Sequence, residues 1–321
     1  MEISLLLKII YGVASLLLLL LGVTYAIYFE RKVIGYMQVR YGPNRVGPWG
    51  LLQTVTDVLK LLLKEDIIPS KVDRKVFIIA PVIAFAPSFM ILATIPWSEN
   101  LYGADLNIGL LYFIGISSIT TIGILMGGWS SNNKYALLGA MRGVAQMVSY
   151  EIPLVLSVIG VVILSGSLNL RDIVYAQQDM GVWFIIPQFL GFIVYIISAI
   201  AELNRSPFDL PEAESELVAG YHVEYTGFRM AFFFLSEYVY AIAIAALATV
   251  LFFGGWLGPA FLPGIIWFLF KWSFFIFFFF WLRATLPRAR VDQLMTFGWK
   301  VLIPLALVNI VITTLVKAWM G

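Results

Sequence analysis

The sequence predicts an all-α integral membrane protein with about eight transmembrane helices and one amphipathic helix lying at the membrane surface. Three observations predict it. The chain is 61% hydrophobic, with a mean hydropathy of +0.91. Only 12% of its residues are charged, where soluble domains carry about 25%. Apolar runs of about 20 residues, the length that crosses roughly 30 Å of hydrocarbon, recur along the whole chain. Together these exclude a water-soluble fold.

The apolar runs place spans near 5–28, 76–96, 107–128, 145–165, 184–204, 228–253, 264–283 and 297–318, so residues 1–321 read as a single polytopic membrane domain. Proline, glycine and polar clusters punctuate the boundaries, as at Pro96–Gly103 and Gly254–Gly264. The first run, Leu5 to Tyr28, is too long for a signal-peptide core, follows an n-region containing Glu2, and lacks an A-x-A site. It reads as a retained first helix. No internal repeat is visible. Trp183, Trp256 and Trp267 fall near span ends, where aromatic anchors sit.

The stretch Leu51–Lys64 places Leu52, Val55, Leu59 and Leu62 at helical spacing, with Asp57, Lys60 and Lys64 largely on the opposite side. This pattern predicts the interfacial helix, held by the preceding Gly-Pro-Asn-Arg-Val-Gly-Pro-Trp turn. Orientation follows from the basic residues. Of 21 Lys and Arg, only Lys8, Arg171 and Lys317 fall on one side and Lys271 falls inside a span; all others share the opposite side. Basic residues concentrate in the cytoplasm, so both termini are expected outside and the large polar connections inside.

Cysteine is absent and His222 is the one histidine. Iron–sulfur clusters need several thiolates and membrane-bundle haem usually needs paired histidines. No Gly-rich turn follows a strand-like segment to cradle a dinucleotide. No metal, haem or iron–sulfur cluster is therefore expected on this chain. His222 reads as a hydrogen-bonded loop residue, and the aromatic run Trp272–Trp281 reads as lipid-facing packing.

Ionisable side chains inside spans are costly, and they face a polar interior or one another. Glu151 lies about two turns into the fourth span and Glu237 about two turns into the sixth. Glu30 closes the first span and Glu202 the fifth, while Lys271 sits within the seventh. After Glu202 the inside connection adds Asp209, Glu212, Glu214, Glu216 and Glu224, with Arg205 as the nearby base. Crowded carboxylates in a partly dry site raise one another's proton affinity and titrate as a group. A proton path opening at the inside face is the reading these acids favour. A solvated acidic loop that docks a basic partner is the alternative.

The stretches Glu30-Arg-Lys32, Arg40-Tyr-Gly-Pro-Asn-Arg-Val-Gly47, Gly128 to Arg142, Ser149-Tyr-Glu151 and Arg205 to Tyr225 resemble the H subunit of bacterial-type NADH:quinone oxidoreductase. This is the respiratory complex I family, and the mitochondrial counterpart of that protein is complex I subunit one. The likeness runs from about Glu30 to about Lys300. The resemblance implies an eight-helix protein at the junction of the membrane and peripheral arms, which walls a quinone chamber and carries no electron centre. It implies a proton path through Glu151, Glu202, Asp209, Glu212, Glu214, Glu216, Glu224 and Glu237. Quinone lining would fall to Glu30, Arg31, Asp57, Lys60, Lys64, Arg205, Phe208 and Phe228, with Lys271 and Arg283 as counter-charges. Implied partners are the iron–sulfur and quinone-site subunits of the peripheral arm, small and antiporter-like membrane subunits, quinone and lipid; nucleic acid is not among them. The implied location is the plasma membrane, or the inner membrane of an organelle.

Two other classes share some of these features. A cation/proton antiporter suits the intramembrane carboxylates but calls for paired broken helices, which the sequence does not display. A membrane subunit of a related hydrogenase complex shares much of the acidic loop. Residues 40–66, which resemble the quinone-entry segment, favour the quinone enzyme. Because the chain has no cysteine, the orientation is directly testable. Arg288→Cys should react with an impermeant maleimide only in inside-out vesicles, and Arg171→Cys only in right-side-out ones.

Overall fold

The computed structural model describes residues 5–211, 214–259 and 261–320; the side chains of residues 5–15, 214, 215 and 320 lie outside the description. Every regular element among the described residues is helical. The chain divides into two compact units, one ending at Glu65 and the other beginning at Asp66.

In the first unit, α1 spans Leu5–Met37 without interruption. At 1.5 Å per residue its 33 residues extend about 50 Å, so Glu30, Arg31 and Lys32 continue the helix beyond the length hydrocarbon requires. A tight turn follows, with Gly47 at φ 73° and Gly50 at φ 82°. At Gly50 a Cβ would lie 2.2 Å from the Pro43 carbonyl oxygen, so the turn closes only without a side chain there. Helix α2 then spans Gln53–Leu63. It leaves Leu52, Val55, Leu59 and Leu62 exposed, as an interfacial helix with its apolar side toward lipid would.

The second unit begins with α3, Arg74–Leu92, and α4, Gly109–Ser130. Helix α5 runs Lys134–Ser165, starting well before the expected boundary near 145. The side chain of Asn133 caps it by accepting from the Tyr135 N–H at 2.9 Å, and Gly166 at φ 75° ends it. The connection after α5 is not plain loop: α6 forms over Leu170–Met180, capped by Asn169. Helix α7 is Phe189–Glu202, and its 14 residues are too few for a full crossing. A single turn, α8 (Glu214–Leu217), and a 3₁₀ turn at Gly220–His222 lead to α9, Gly227–Phe252. Helix α10 is Gly264–Thr285. The last apolar segment is built in three pieces: α11 (Val291–Phe297), a π turn (Gly298–Leu302) and α12 (Ile303–Met320). Among the described residues six segments are long and apolar enough to cross a membrane, and α7 is a shorter apolar helix.

Helix α9 is central: every residue from Val239 to Phe252 is buried. Its alanines at 241, 243, 245, 246 and 248 let neighbours close in from all sides. Helix α3 packs on α4 and α9, while α5 packs on α4, α7 and α12. Hydrocarbon solvates apolar side chains as well as a protein core does, so contact in a membrane relies on small residues and close van der Waals fit. At Gly123 on α4 a Cβ would lie 2.5 Å from the Ala84 backbone nitrogen, and at Gly128 it would lie 2.3 Å from the Ala140 Cβ. By contrast, Leu307, Val308, Val311, Ile312 and Leu315 of α12 are exposed, a face suited to lipid.

Gly123→Ala should therefore overpack the α3–α4 seam and destabilise by about 1–3 kcal/mol. Gly115→Ala on the same helix, where a Cβ meets nothing within 4 Å, should be near neutral. Thermal denaturation midpoints of the two purified variants check this.

Candidate functional site

Three acids carried on the apolar helices of the second unit are each met by a hydroxyl. Glu151, half-buried on α5, accepts from the Ser118 hydroxyl of α4. Glu202, buried at the end of α7, accepts from the Tyr240 hydroxyl of α9 at 2.7 Å. Glu237 on α9 accepts from the Tyr221 hydroxyl at 3.0 Å. Ser117, beside Ser118 on α4, lies near Tyr240, and Glu151 lies near Glu202. Helices α4, α5, α7 and α9 thus bring Glu151, Glu202 and the α9 hydroxyl into one polar seam.

Arg205 extends this seam to the loop after α7. Its guanidinium lies 3.6 Å from the Glu237 carboxylate, both side chains only 12% exposed, and stacks over the Tyr238 ring at 4.3 Å. Expected among the quinone-lining residues, Arg205 is placed against Glu237, an acid expected on the proton path. Phe208 sits on the Tyr150 ring, centroids 5.8 Å apart, and half-buried Asp209 follows it. Phe228 is exposed and packs edge-on to Phe232 at 4.8 Å.

The remaining loop acids are tied from outside the loop. Glu216 accepts from Arg142 at 2.5 Å and lies 3.9 Å from Arg288. The hydrogen bond from Arg142, then the charge of Arg288, hold its carboxyl below the usual glutamate range. Glu224 accepts from the Asn133 amide at 2.7 Å. Glu212 lies outside the described residues, as does the side chain of Glu214.

Glycines of α5 let the loop approach closely. At Gly139 a Cβ would lie 2.8 Å from the Pro211 carbonyl oxygen, and at Gly143 it would lie 2.9 Å from the Pro211 ring. Between them and Tyr150, the Gln146 amide reaches the backbone of both α7 and the loop.

In the first unit, Glu30 is buried near the end of α1. Arg31 pairs with Asp57 of α2 at 2.5 Å, and Gln53 also donates to Asp57 at 3.2 Å. Lys60 and Lys64 are exposed along α2.

The expected counter-charges are placed differently. Lys271 is buried, and its ammonium donates to the carbonyls of Phe253, Gly255 and Leu257 at 2.7, 3.0 and 2.6 Å. It also lies 4.7 Å from the Trp183 ring. An ammonium has three donors, and all three face backbone oxygens at the end of α9 rather than a carboxylate. Arg283 is half-buried in the last turn of α10. His222 is buried against Tyr221, ring centroids 4.0 Å apart. Among the described residues no group of three His, Cys, Asp or Glu is arranged to hold a metal ion.

Comparison with known proteins matches residues 10–314 to the NADH dehydrogenase family. The chain belongs to that family. Relatives named as the H subunit of NADH-quinone oxidoreductase include that of Anoxybacillus flavithermus, 65% identical over 312 residues, covering 95% of this chain and 92% of the relative. The Brevibacillus brevis protein is 61% identical over 315 residues, covering 97% and 93%. The Geobacillus kaustophilus protein is 62% identical over 315 residues, covering 96% and 94%. The family resemblance drawn from the motifs is thus met over nearly the whole chain.

Within this NADH dehydrogenase family member, inspection of the acids misses Ser117, Ser118, Tyr221 and Tyr240. One of them carries a signal: Tyr240 follows Glu237 by three residues, which puts both on one face of α9. The serines sit in an apolar span with nothing in sequence to link them to Glu151. Tyr240→Phe leaves the buried Glu202 without its hydroxyl donor, a loss of about 1–3 kcal/mol. A lower thermal inactivation midpoint in the purified variant, with the exposed Tyr135→Phe unchanged, is the expected result.

Proposed function

We propose that this chain is the membrane subunit of a proton-pumping NADH:quinone oxidoreductase that forms the quinone chamber and couples quinone reduction to proton movement. It is not catalytic alone. The observation that carries the reading is the linked set Ser118–Glu151, Tyr240–Glu202 and Tyr221–Glu237–Arg205. Acids set among apolar helices, each paired with a hydroxyl or guanidinium donor, can take up and pass protons, and a structural core has no need of them. The names of the relatives supply the reaction class.

In this reading the proton path comprises Glu151, Glu202, Asp209, Glu212, Glu214, Glu216, Glu224 and Glu237. Quinone is the substrate. The residues that the family resemblance assigns to its lining are Glu30, Arg31, Asp57, Lys60, Lys64, Arg205, Phe208 and Phe228. Electrons come from an iron–sulfur subunit of the peripheral arm, because this chain has no thiolate to hold a cluster. The other partners are small and antiporter-like membrane subunits, and the chain acts as one polytopic domain in the plasma membrane or an equivalent inner membrane. Charge arriving with quinone reduction alters the acidic loop, and Arg205 carries the change to Glu237.

Glu151→Gln and Glu237→Gln keep side-chain size and remove the titratable proton. In membrane vesicles both should lose quinone-linked proton pumping while partner subunits co-purify in wild-type proportion. Wild-type pumping in both variants would sink the reading.

A further inference from the structure

Gln146 is fully buried on α5. Its Nε2 donates to the Ala201 carbonyl at 2.6 Å and the Phe208 carbonyl at 2.7 Å, and lies 3.2 Å from Asn204 Oδ1. These three acceptors decide the orientation of the amide. Turned over, its oxygen would face three oxygens with no hydrogen between them. One side chain therefore grips both ends of the segment 201–208, which contains Glu202 and Arg205 and runs directly into Asp209. Four residues along the same face of α5, Tyr150 rests against the Phe208 ring, and Glu151 follows it. Side chains of the gripped segment reach α9: Glu202 meets Tyr240 and Arg205 meets Glu237.

We propose that Gln146 is a positioning residue for coupling: it holds the segment 201–208 against α5 so that Glu202 and Arg205 meet their partners on α9. The inference rests on the coupling role proposed above, and goes beyond it by assigning a non-titratable residue the task of keeping the loop in register. Two carbonyls from the two ends of one segment converge on one amide, so loss of its donors frees both ends together. A purely structural tie would lower the amount or heat resistance of the protein and leave turnover unchanged.

The test uses the assembled complex in native membranes, with Gln146→Met, of similar length but without donors, and Gln146→Glu, of the same shape but with oxygen in place of the donor. Ser206→Cys supplies a reporter inside the gripped segment, unique on this chain because it has no cysteine. In both Gln146 variants maleimide labelling at position 206 should speed up about threefold or more as the segment opens locally. The kcat of NADH-driven quinone reduction should fall about tenfold or more with the quinone KM within about twofold, the split expected when register rather than substrate binding is lost. Unchanged labelling overturns the grip. Faster labelling with wild-type kcat and pumping overturns its role in coupling. Disappearance of both variant chains from the membrane assigns Gln146 to folding and also overturns the proposal. Wild-type pumping by Glu151→Gln and Glu237→Gln would fail the coupling reading itself, while the labelling readout would still report on the grip.

Discussion

Carboxylates carried on apolar helices need donors, and in hydrocarbon those donors must come from the protein. Glu151, Glu202 and Glu237 meet this requirement with hydroxyls that stand on other elements: Ser118 of α4, Tyr240 of α9, and Tyr221 from the turn before α9. Each bond joins two pieces of chain. These bonds tie α4 to α5 and α7 to α9. A hydroxyl can accept as well as donate, so these partners serve a carboxylate and a carboxylic acid alike. An arginine would hold one state far more strongly, and Arg205 is set against Glu237, where the seam meets the loop after α7.

The close fit of the helices makes such precision possible. Packing in a membrane gains little from excluding lipid, so it depends on backbone approach at small residues. Gly123 against Ala84, Gly128 against Ala140, and the alanines of α9 provide that approach. The same device seats the acidic loop, where Gly139 and Gly143 admit Pro211 onto α5. Loop and helix behave as one packed body, although the loop's composition alone suggests a solvated connection.

Charge is divided between two tasks. After α9 and at the start of α6, Lys271 and Arg171 are structural. Lys271 satisfies three backbone carbonyls after α9, and Arg171 pairs with Asp105 at 2.6 Å, whose carboxyl is held below its usual range by the hydrogen bonds from Asn169 and Arg171. Around the loop that follows α7, Arg142, Arg205 and Arg288 hold acids.

Fold class, the positions of the long helices and the acids within them were all legible in the amino-acid sequence. Backbone polar groups cannot remain unpaired in lipid, so an apolar run of sufficient length has no choice but helix. The family was legible for a related reason: motifs such as Arg40 to Gly47 and Arg205 to Tyr225 combine residues that no generic membrane span requires. Short or interrupted elements escaped. Helix α6 is too brief to register as a span, and the π turn at Gly298–Leu302 leaves the hydropathy of its segment unchanged. Partners escaped most of all. Whether Glu202 meets Tyr240, or Lys271 meets three carbonyls instead of an acid, depends on which side chains of distant helices arrive at the same depth and face. That is settled by the assembled fold, because helical periodicity assigns a residue to a face without saying what stands opposite.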